Sequence, residues 1–169
     1  MPNPSLIFRQ HSHWLALTAL AVFGASLYQR WITGDDTWFA EQAYWFLQHG
    51  YVRSDLFEGV LGYETRQFVY HKLHVWQGAL TLWLFGWNAY YLKALPLIYI
   101  TVFLFLIRHY LYAWLQAEKN VFYTFVFLFF TNNLIIQHGF EYRPDVMMMV
   151  TGFVSFMFLR SGQATQKNR

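Results

Sequence analysis

Apolar residues gather in runs long enough to form membrane-crossing helices, and most polar residues fall between these runs. The runs cover 10–29, 73–92, 94–107, 121–140 and 146–159. A helix needs roughly 20 mostly apolar residues to cross the hydrocarbon core of a bilayer. The runs 10–29 and 121–140 contain no Asp, Glu, Lys or Arg, whereas Gln77, Gly78 and Gly86 interrupt 73–92. The pattern predicts an all-α integral membrane protein.

The positions of the basic residues indicate how many runs cross the membrane. Basic residues in short loops favour the cytoplasmic side. If every run crossed from a cytoplasmic N-terminus, Arg108, Lys119 and the basic tail would lie outside the cell. If 73–92 lies in the membrane interface instead, Arg108, Lys119 and the basic tail all lie on the cytoplasmic side. We therefore predict four transmembrane helices, near 14–32, 90–112, 121–139 and 146–160.

Four spans leave a first external loop, from about 33 to 90, that is too long to be a simple connection. Within it, Asp36 is a suitable N-cap for a helix from Thr37 to His49 that Gly50 ends, and the side chains expected to face water are Glu41, Gln42 and Gln48. A second helix over 73–88 is expected to lie in the interface, as its tryptophans favour. Residues 1–160 then form the transmembrane module, and 161–169 form a polar cytoplasmic tail.

Composition agrees with a membrane protein and excludes several other classes. Of 169 residues, 56% are hydrophobic, 22% are aromatic and 12% are charged, about half the charged fraction of a soluble domain. The net charge of +3 comes from scattered basic residues, so no nucleic-acid surface is expected. The sequence has no cysteine, which excludes disulfides and cysteine-ligated metals.

Two acidic segments reach the same outer surface in the four-span arrangement. One is Asp35–Asp36, just after the first span, and the other runs from Glu141 to Asp145. Such carboxylates can supply a general base and can hold a divalent metal through oxygen. Asp35 lies next to a helix N-terminus and should stay ionised, because the helix dipole favours the negative form. The simpler alternative is that the pair caps a helix in contact with water.

Basic and histidine side chains near these segments suggest what they bind. Arg143, Lys72 and Lys93 could contact the phosphate of a lipid-linked substrate. His71 and His74 are three residues apart, on one helical face, and could join Asp36 and Asp145 around Mg²⁺ or Mn²⁺. Alternatively, the histidines anchor the second helix at the interface, and Glu141 with Arg143 forms an interfacial ion pair.

Three segments together resemble a known enzyme class. They are "GDDTWFAEQAYWFLQHG" (34–50), "HKLHVWQGALTLWLFGWNAYYLKALPLIY" (71–99) and "EYRPDVMMM" (141–149). They are similar, in order and spacing, to segments of GT-C membrane glycosyltransferases, such as protein mannosyltransferases of family 39 and bacterial enzymes that glycosylate lipid A or envelope glycans. The chain departs from their pattern in having Asp-Asp for Asp-Glu, no prolines after His71, and Lys93 where Arg is usual.

The resemblance implies a function and a site. Asp35 would be the catalytic base, and Asp36 and Asp145, with Arg143 beside it, would occupy the second acidic positions. The donor would be a polyprenyl-phosphate-linked sugar, and the acceptor a glycan, lipid or protein. The expected location is a bacterial inner membrane, with both termini cytoplasmic and the site on the external face. Complete members of the class have more spans, so the chain is expected to be the N-terminal portion of such an enzyme.

Two other functions compete with this one. A small membrane protein without catalysis, either a degenerate fragment or an assembly subunit, would retain the same residues. A metal or proton transporter is less favoured, because the predicted spans carry few charged residues in their interiors.

Overall fold

The computed structural model describes Thr18, residues 21–69 and residues 71–167, with side chains up to Gly162. The chain divides into two units, Met1–Trp31 and Ile32–Arg169. The first unit contains helix α1, described over 21–28. Of the predicted span near 14–32, residues 14–17, 19 and 20 lie outside the described residues, and the described remainder is helical over 21–28.

The second unit is built from helices and loops. Its helices are α2 (Gly34–His49), α3 (Lys72–Phe85), α4 (Ala89–His109), a π-helical turn (Tyr110–Trp114), α5 (Lys119–Thr131), α6 (Asn133–His138) and α7 (Pro144–Lys167). No strand occurs among the described residues, so the all-α prediction is confirmed. Helix α7 continues to Lys167, within the stretch 161–169 predicted to be a polar tail.

Helix α2 begins earlier than predicted, because Thr33 and not Asp36 is its N-cap. The Thr33 hydroxyl accepts a hydrogen bond from the Asp36 backbone N–H, and the Asp36 carboxylate accepts one from the Thr33 backbone N–H at 3.1 Å. This reciprocal pair is a capping box. Gly50 ends the helix in the left-handed region, with φ 73°, which confirms the predicted end.

Helix α3 packs closely against α2. Its buried residues are His74, Val75, Gly78, Ala79 and Leu82. A Cβ on Gly78 would overlap the Tyr142 hydroxyl and would lie 2.8 Å from the Ala43 Cβ of α2. Glycine is therefore what allows α2, α3 and Tyr142 to meet here. The helix predicted over 73–88 is present but ends at Phe85, because Gly86 is its C-cap and Asn88 caps α4; its place in a membrane interface stays a prediction.

One helix is long and apolar enough to cross a membrane, judged by length and composition among the described residues. It runs continuously from Ala89 to Trp114, with a mean hydropathy of 1.9. Lys119–Thr131 is apolar but shorter. The predicted span 121–139 is broken at Asn132, whose side chain caps α6 by accepting a hydrogen bond from the Leu134 N–H. The structure therefore does not confirm four spans.

Two apolar clusters hold this unit together. The first joins α2, α3, the start of α4 and the loop before α7, through Phe39, Ala40, Ala43, Leu82, Leu92 and Tyr142. The second joins α4 and α7 through Phe103, Ile107 and Val150, with aromatic side chains of α5 packed against them. The candidate site lies beside the first cluster, where α2 meets the loop before α7.

Candidate functional site

The two acidic segments predicted from the sequence meet through one arginine. The Arg143 guanidinium pairs with Asp35 through Nη1 and with Asp145 through Nε at 2.8 Å. Asp35 is 108 residues away in sequence, so the fold itself creates this contact. The side chains of Asp35 and Asp145 are 46% and 58% exposed. The two carboxylates therefore remain accessible from outside the cluster.

Asp36 has a different environment from its neighbour, because it is buried. Its Oδ1 accepts a hydrogen bond of 2.5 Å from the Tyr142 backbone N–H, and its Oδ2 accepts from the backbone and side chain of Thr33. Charge-assisted bonds to backbone N–H groups are among the stronger hydrogen bonds in proteins. Asp36 thus fastens the loop before α7 to the first turn of α2, and a substrate has no direct route to its oxygens.

Glu141 is a buried neighbour of Arg143. Its Oε2 contacts His138 Nδ1 at 2.8 Å and lies 3.9 Å from Arg143 Nη1. Partial burial favours a neutral Arg143, but its hydrogen bond to Asp145 and the negative charges of Asp145, Asp35 and Glu141 outweigh this and raise its pKa. Arg143 is therefore a permanent cation inside an acidic cluster.

Two of the three predicted phosphate-binding cations, Lys72 and Arg143, line different cavities, and the third, Lys93, is buried. Lys72 is exposed at the start of α3, where it lines a cavity of about 610 Å³ together with Arg66. Lys93 is 1% exposed, in the first turns of α4. Arg143 lines a separate cavity of about 370 Å³ between α6 and α7.

His71 and His74 are buried within the helical packing. His71 Nε2 lies 2.7 Å from the Gln42 side-chain oxygen, and Gln42 is buried, so the prediction that Gln42 faces water is wrong. The His74 ring stacks on Tyr142, with the centroids 4.2 Å apart. Burial, with the nearby His71 adding to its effect, lowers the pKa of His74 to about 3. These are neutral packing residues of the α2–α3 interface.

The predicted metal ligands do not form a ligand set in this structure. Asp36 is engaged with Thr33 and Tyr142, Asp145 with Arg143, and His71 with Gln42. Within the described residues, no group of three or more His, Asp or Glu side chains is arranged to hold a metal ion. The divalent metal therefore stays a prediction.

Sequence reasoning missed the roles of three residues: Tyr142 and His138 at the site, and Glu41, which contacts the loop after α2. Tyr142 is fully buried and donates its hydroxyl to the His74 carbonyl at 3.1 Å. Glu41 accepts hydrogen bonds from the Ser54 hydroxyl and the Asp55 N–H, both at 2.6 Å. His138 pairs with Glu141. The three-residue spacing of His138 and Glu141 at the end of an apolar run could have predicted their pairing. No local sequence pattern predicts the contacts of Tyr142 or Glu41.

Comparisons with known proteins give no further guide to function. No protein-family model, curated protein or solved structure matches the chain. The relationship to GT-C enzymes, suggested by the resemblance of three segments, therefore stays a prediction.

Proposed function

We propose that the chain is the N-terminal module of a GT-C-type membrane glycosyltransferase. It would transfer a sugar from a polyprenyl-phosphate donor to a glycan, lipid or protein acceptor of the cell envelope. The observation that carries the proposal is the contact of Arg143 with both Asp35 and Asp145. This contact joins two acidic positions in one accessible cluster. At the corresponding positions, the enzymes that the chain resembles have their catalytic base and their second acidic residue.

Asp35 is suited to accept the proton of an acceptor hydroxyl. Its Oδ2 pairs with Arg143, while its Oδ1 makes no hydrogen bond to a described residue. In the proposed step, the acceptor oxygen forms a bond to the anomeric carbon of the sugar, and its proton passes to Asp35. The bond between that carbon and the phosphate oxygen breaks, and the electron pair leaves with the polyprenyl phosphate. A positioned general base contributes roughly 10²–10⁴-fold to such a rate.

The donor phosphate is better matched to Lys72 than to Arg143 or Lys93. Arg143 is surrounded by carboxylates that repel an anion, and Lys93 is buried. Lys72 and Arg66 line an otherwise mostly apolar cavity with no Asp or Glu among its described lining residues. Two cations beside an apolar wall suit a phosphate carried on a hydrocarbon chain.

The proposal includes a membrane orientation. The helix Ala89–Trp114 has 26 residues and is about 39 Å long, enough to cross a hydrocarbon core of about 30 Å. Because Asp35 contacts Arg143, the segments before α2 and before α7 must lie on one side of the membrane. We propose that this is the external face of a bacterial inner membrane, with both termini in the cytoplasm.

Replacing Asp35 in the cells that make the protein tests the function. We expect the chromosomal Asp35→Asn allele to remove one sugar modification from the envelope glycans, lipids or proteins, detected by mass spectrometry. Asn keeps the size of the side chain but accepts no proton at neutral pH. Asp55→Asn is the matched control, because Asp55 is also exposed and ion-paired, with Arg53 at 2.5 Å. Envelope profiles that are identical in wild type and Asp35→Asn would contradict the proposal.

A non-catalytic membrane subunit is the second candidate, and the contacts of Asp36 favour it. Both Asp36 oxygens are used to fasten the Tyr142 loop to α2, so part of the acidic pair has a structural role. In a subunit of this kind, Asp35→Asn would leave every sugar in place, while Asp36→Asn would lower the amount of folded protein.

A further inference from the structure

The cavity at the start of α3 has two cationic side chains in its wall. It has a volume of about 610 Å³, and its lining includes Arg66, from the loop between α2 and α3, and Lys72, the first residue of α3. No Asp or Glu is among its described lining residues. Within the part of the chain that the structure describes, neither cation forms an ion pair. The cavity therefore carries positive charge that no described carboxylate neutralises.

Two aromatic rings hold the Arg66 guanidinium beside the cavity. Its Cζ lies 5.3 Å from the centre of the Phe68 ring and 6.0 Å from the centre of the Tyr51 ring, and both rings line the cavity. The backbone is fixed next to it, because the Gln67 N–H donates to the Val52 carbonyl at 2.7 Å. A guanidinium that lies over a ring keeps the N–H donors in its own plane available for an anion.

The first turn of α3 adds to the attraction for an anion at this end of the cavity. His71 precedes the helix without a side-chain capping bond, and the first turn contains no Asp or Glu. The N-terminal end of a helix carries partial positive charge and backbone N–H groups that have no partner inside the helix. Such an end favours phosphate, and Lys72 adds a full positive charge to it.

The remainder of the cavity wall is mostly apolar and continues onto the outer face of α3. Leu73 and Trp76 both line the cavity and are exposed. After its first residue, α3 contains no Asp, Glu, Lys or Arg. A hydrocarbon chain that leaves the cavity can therefore lie along this face of the helix. The face continues with exposed side chains at helical spacing, namely Leu80, Trp83 and Leu84.

We propose that this cavity binds an anionic phospholipid of the surrounding bilayer. Its phosphate would pair with Arg66 and Lys72, and an acyl chain would lie along Leu73, Trp76 and Trp83. A soluble anion would leave the apolar wall uncovered, and a zwitterionic phospholipid would bring its own cation to the two basic side chains. A phospholipid held here would compete with the donor phosphate for the same cavity. This regulation rests on the proposed function, whereas the binding itself does not.

Native mass spectrometry of the full chain tests the binding. Phosphatidylglycerol or phosphatidylcholine with identical acyl chains is added in neutral detergent, and bound lipids are counted at each concentration. We expect phosphatidylglycerol to bind at least about tenfold more tightly. Arg66→Gln and Lys72→Gln should each weaken its binding about fivefold, since each basic residue near an anionic lipid contributes roughly that factor. Binding of phosphatidylcholine should not change.

Two other exposed cations provide matched controls. Arg108 lies over the Tyr112 ring, with Cζ 5.8 Å from its centre, much as Arg66 lies over aromatic rings. Lys119 begins α5 as Lys72 begins α3. Neither control residue lines the cavity, so Arg108→Gln and Lys119→Gln should keep the wild-type affinity. An equal loss in all four variants, or equal affinity for the two lipids, would overturn the inference.

Photocrosslinking in nanodiscs locates the lipid without any variant. Phosphatidylglycerol with a diazirine in its acyl chain should label the segment that contains Phe68, Leu73 and Trp76. Polyprenyl phosphate should reduce this labelling, and inorganic phosphate at the same concentration should not. Labelling confined to other segments, or displacement by inorganic phosphate, would overturn the inference.

The same experiment separates the lipid site from the proposed enzyme. Labelling that polyprenyl phosphate does not reduce would overturn the competition with the donor. Labelling of the cavity together with unaltered envelope sugars in Asp35→Asn would refute the proposed enzyme and leave the lipid site standing.

Discussion

His74 shows how a single buried residue makes the stability of this protein depend on pH. Its ring is 2% exposed, lies against Tyr142 and meets the edge of Phe39. Burial, with a smaller effect of His71, lowers its pKa to about 3, whereas a histidine in an unfolded chain titrates near 6.5. Between these two values the unfolded state binds a proton that the folded state does not. Acidification through this interval therefore favours unfolding.

We expect the free energy of unfolding to fall by about 1–2 kcal/mol between pH 7 and pH 5, because the linkage of one such group approaches 1.4 kcal/mol per pH unit. Denaturant titrations of the detergent-solubilised chain at the two pH values measure this. The variant His74→Phe removes the titrating group and should lose much of the difference, whereas exposed His49→Phe should keep it. An unchanged pH dependence in His74→Phe would show that His74 does not carry the effect.

The acidic pair marks the limit of what the sequence reveals about single residues. Asp35 and Asp36 are adjacent and chemically identical, and the sequence predicted both for the site. Their environments differ because α2 begins at Gly34, which directs one carboxylate to Arg143 and the other to the Tyr142 backbone. Both partners come from a loop more than 100 residues away. No local pattern could distinguish the accessible carboxylate from the structural one.

At the scale of helices, the packing of α2 on α3 depends on the missing side chain at Gly78. A Cβ there would overlap the Tyr142 hydroxyl and crowd Ala43. We expect Gly78→Ala to destabilise the protein by about 1–3 kcal/mol, as for other overpacked sites. Thermal unfolding of the two forms in the same detergent measures the difference.

Two further variants separate crowding from the intrinsic effect of alanine in a helix. Gly152→Ala in α7 adds a Cβ with no neighbour within 4 Å, so it should be neutral or slightly stabilising. Adding Tyr142→Phe to Gly78→Ala removes the overlapping hydroxyl and should restore part of the stability. Wild-type stability of Gly78→Ala would mean that the two helices are not in close contact at this point.

The sequence predicted which segments are helical better than where the helices begin or break. Apolar runs located α3, α4, α5 and α7, because helix length and hydrophobicity are local properties. The start of α2 was missed because Asp36 and Thr33 are both good capping residues, and their reciprocal bonds decided between them. The break at Asn132 was missed because an apolar run continues on both sides of it, while the Asn132 side chain caps α6.

At the scale of the whole molecule, the site makes the four-span orientation testable. The contact between Asp35 and Arg143 requires an even number of crossings between the start of α2 and the loop before α7. Helix Ala89–Trp114 is long and apolar enough to supply one crossing. With α3 in the interface, as predicted, the second must come from α5 and α6 together, although Asn132 divides them. If neither α3 nor α5 with α6 crosses, the helix Ala89–Trp114 cannot cross either, and the unit lies on one membrane surface.

Single cysteines can decide between these arrangements, because the chain has none of its own. We expect Glu58→Cys, at an exposed position in the loop after α2, and Asp145→Cys, at the proposed external site, to react in intact cells with a membrane-impermeant maleimide. Glu118→Cys, between the π-helical turn and α5, and Thr165→Cys should react only after the membrane is permeabilised, because both are predicted to be cytoplasmic. Reaction of Glu118→Cys from outside, at the same rate as Glu58→Cys, would show that Ala89–Trp114 does not cross. If Asp145→Cys is protected while Glu58→Cys reacts, the two positions do not share the external face. That outcome would also contradict the pairing of Arg143 with Asp35 in the membrane.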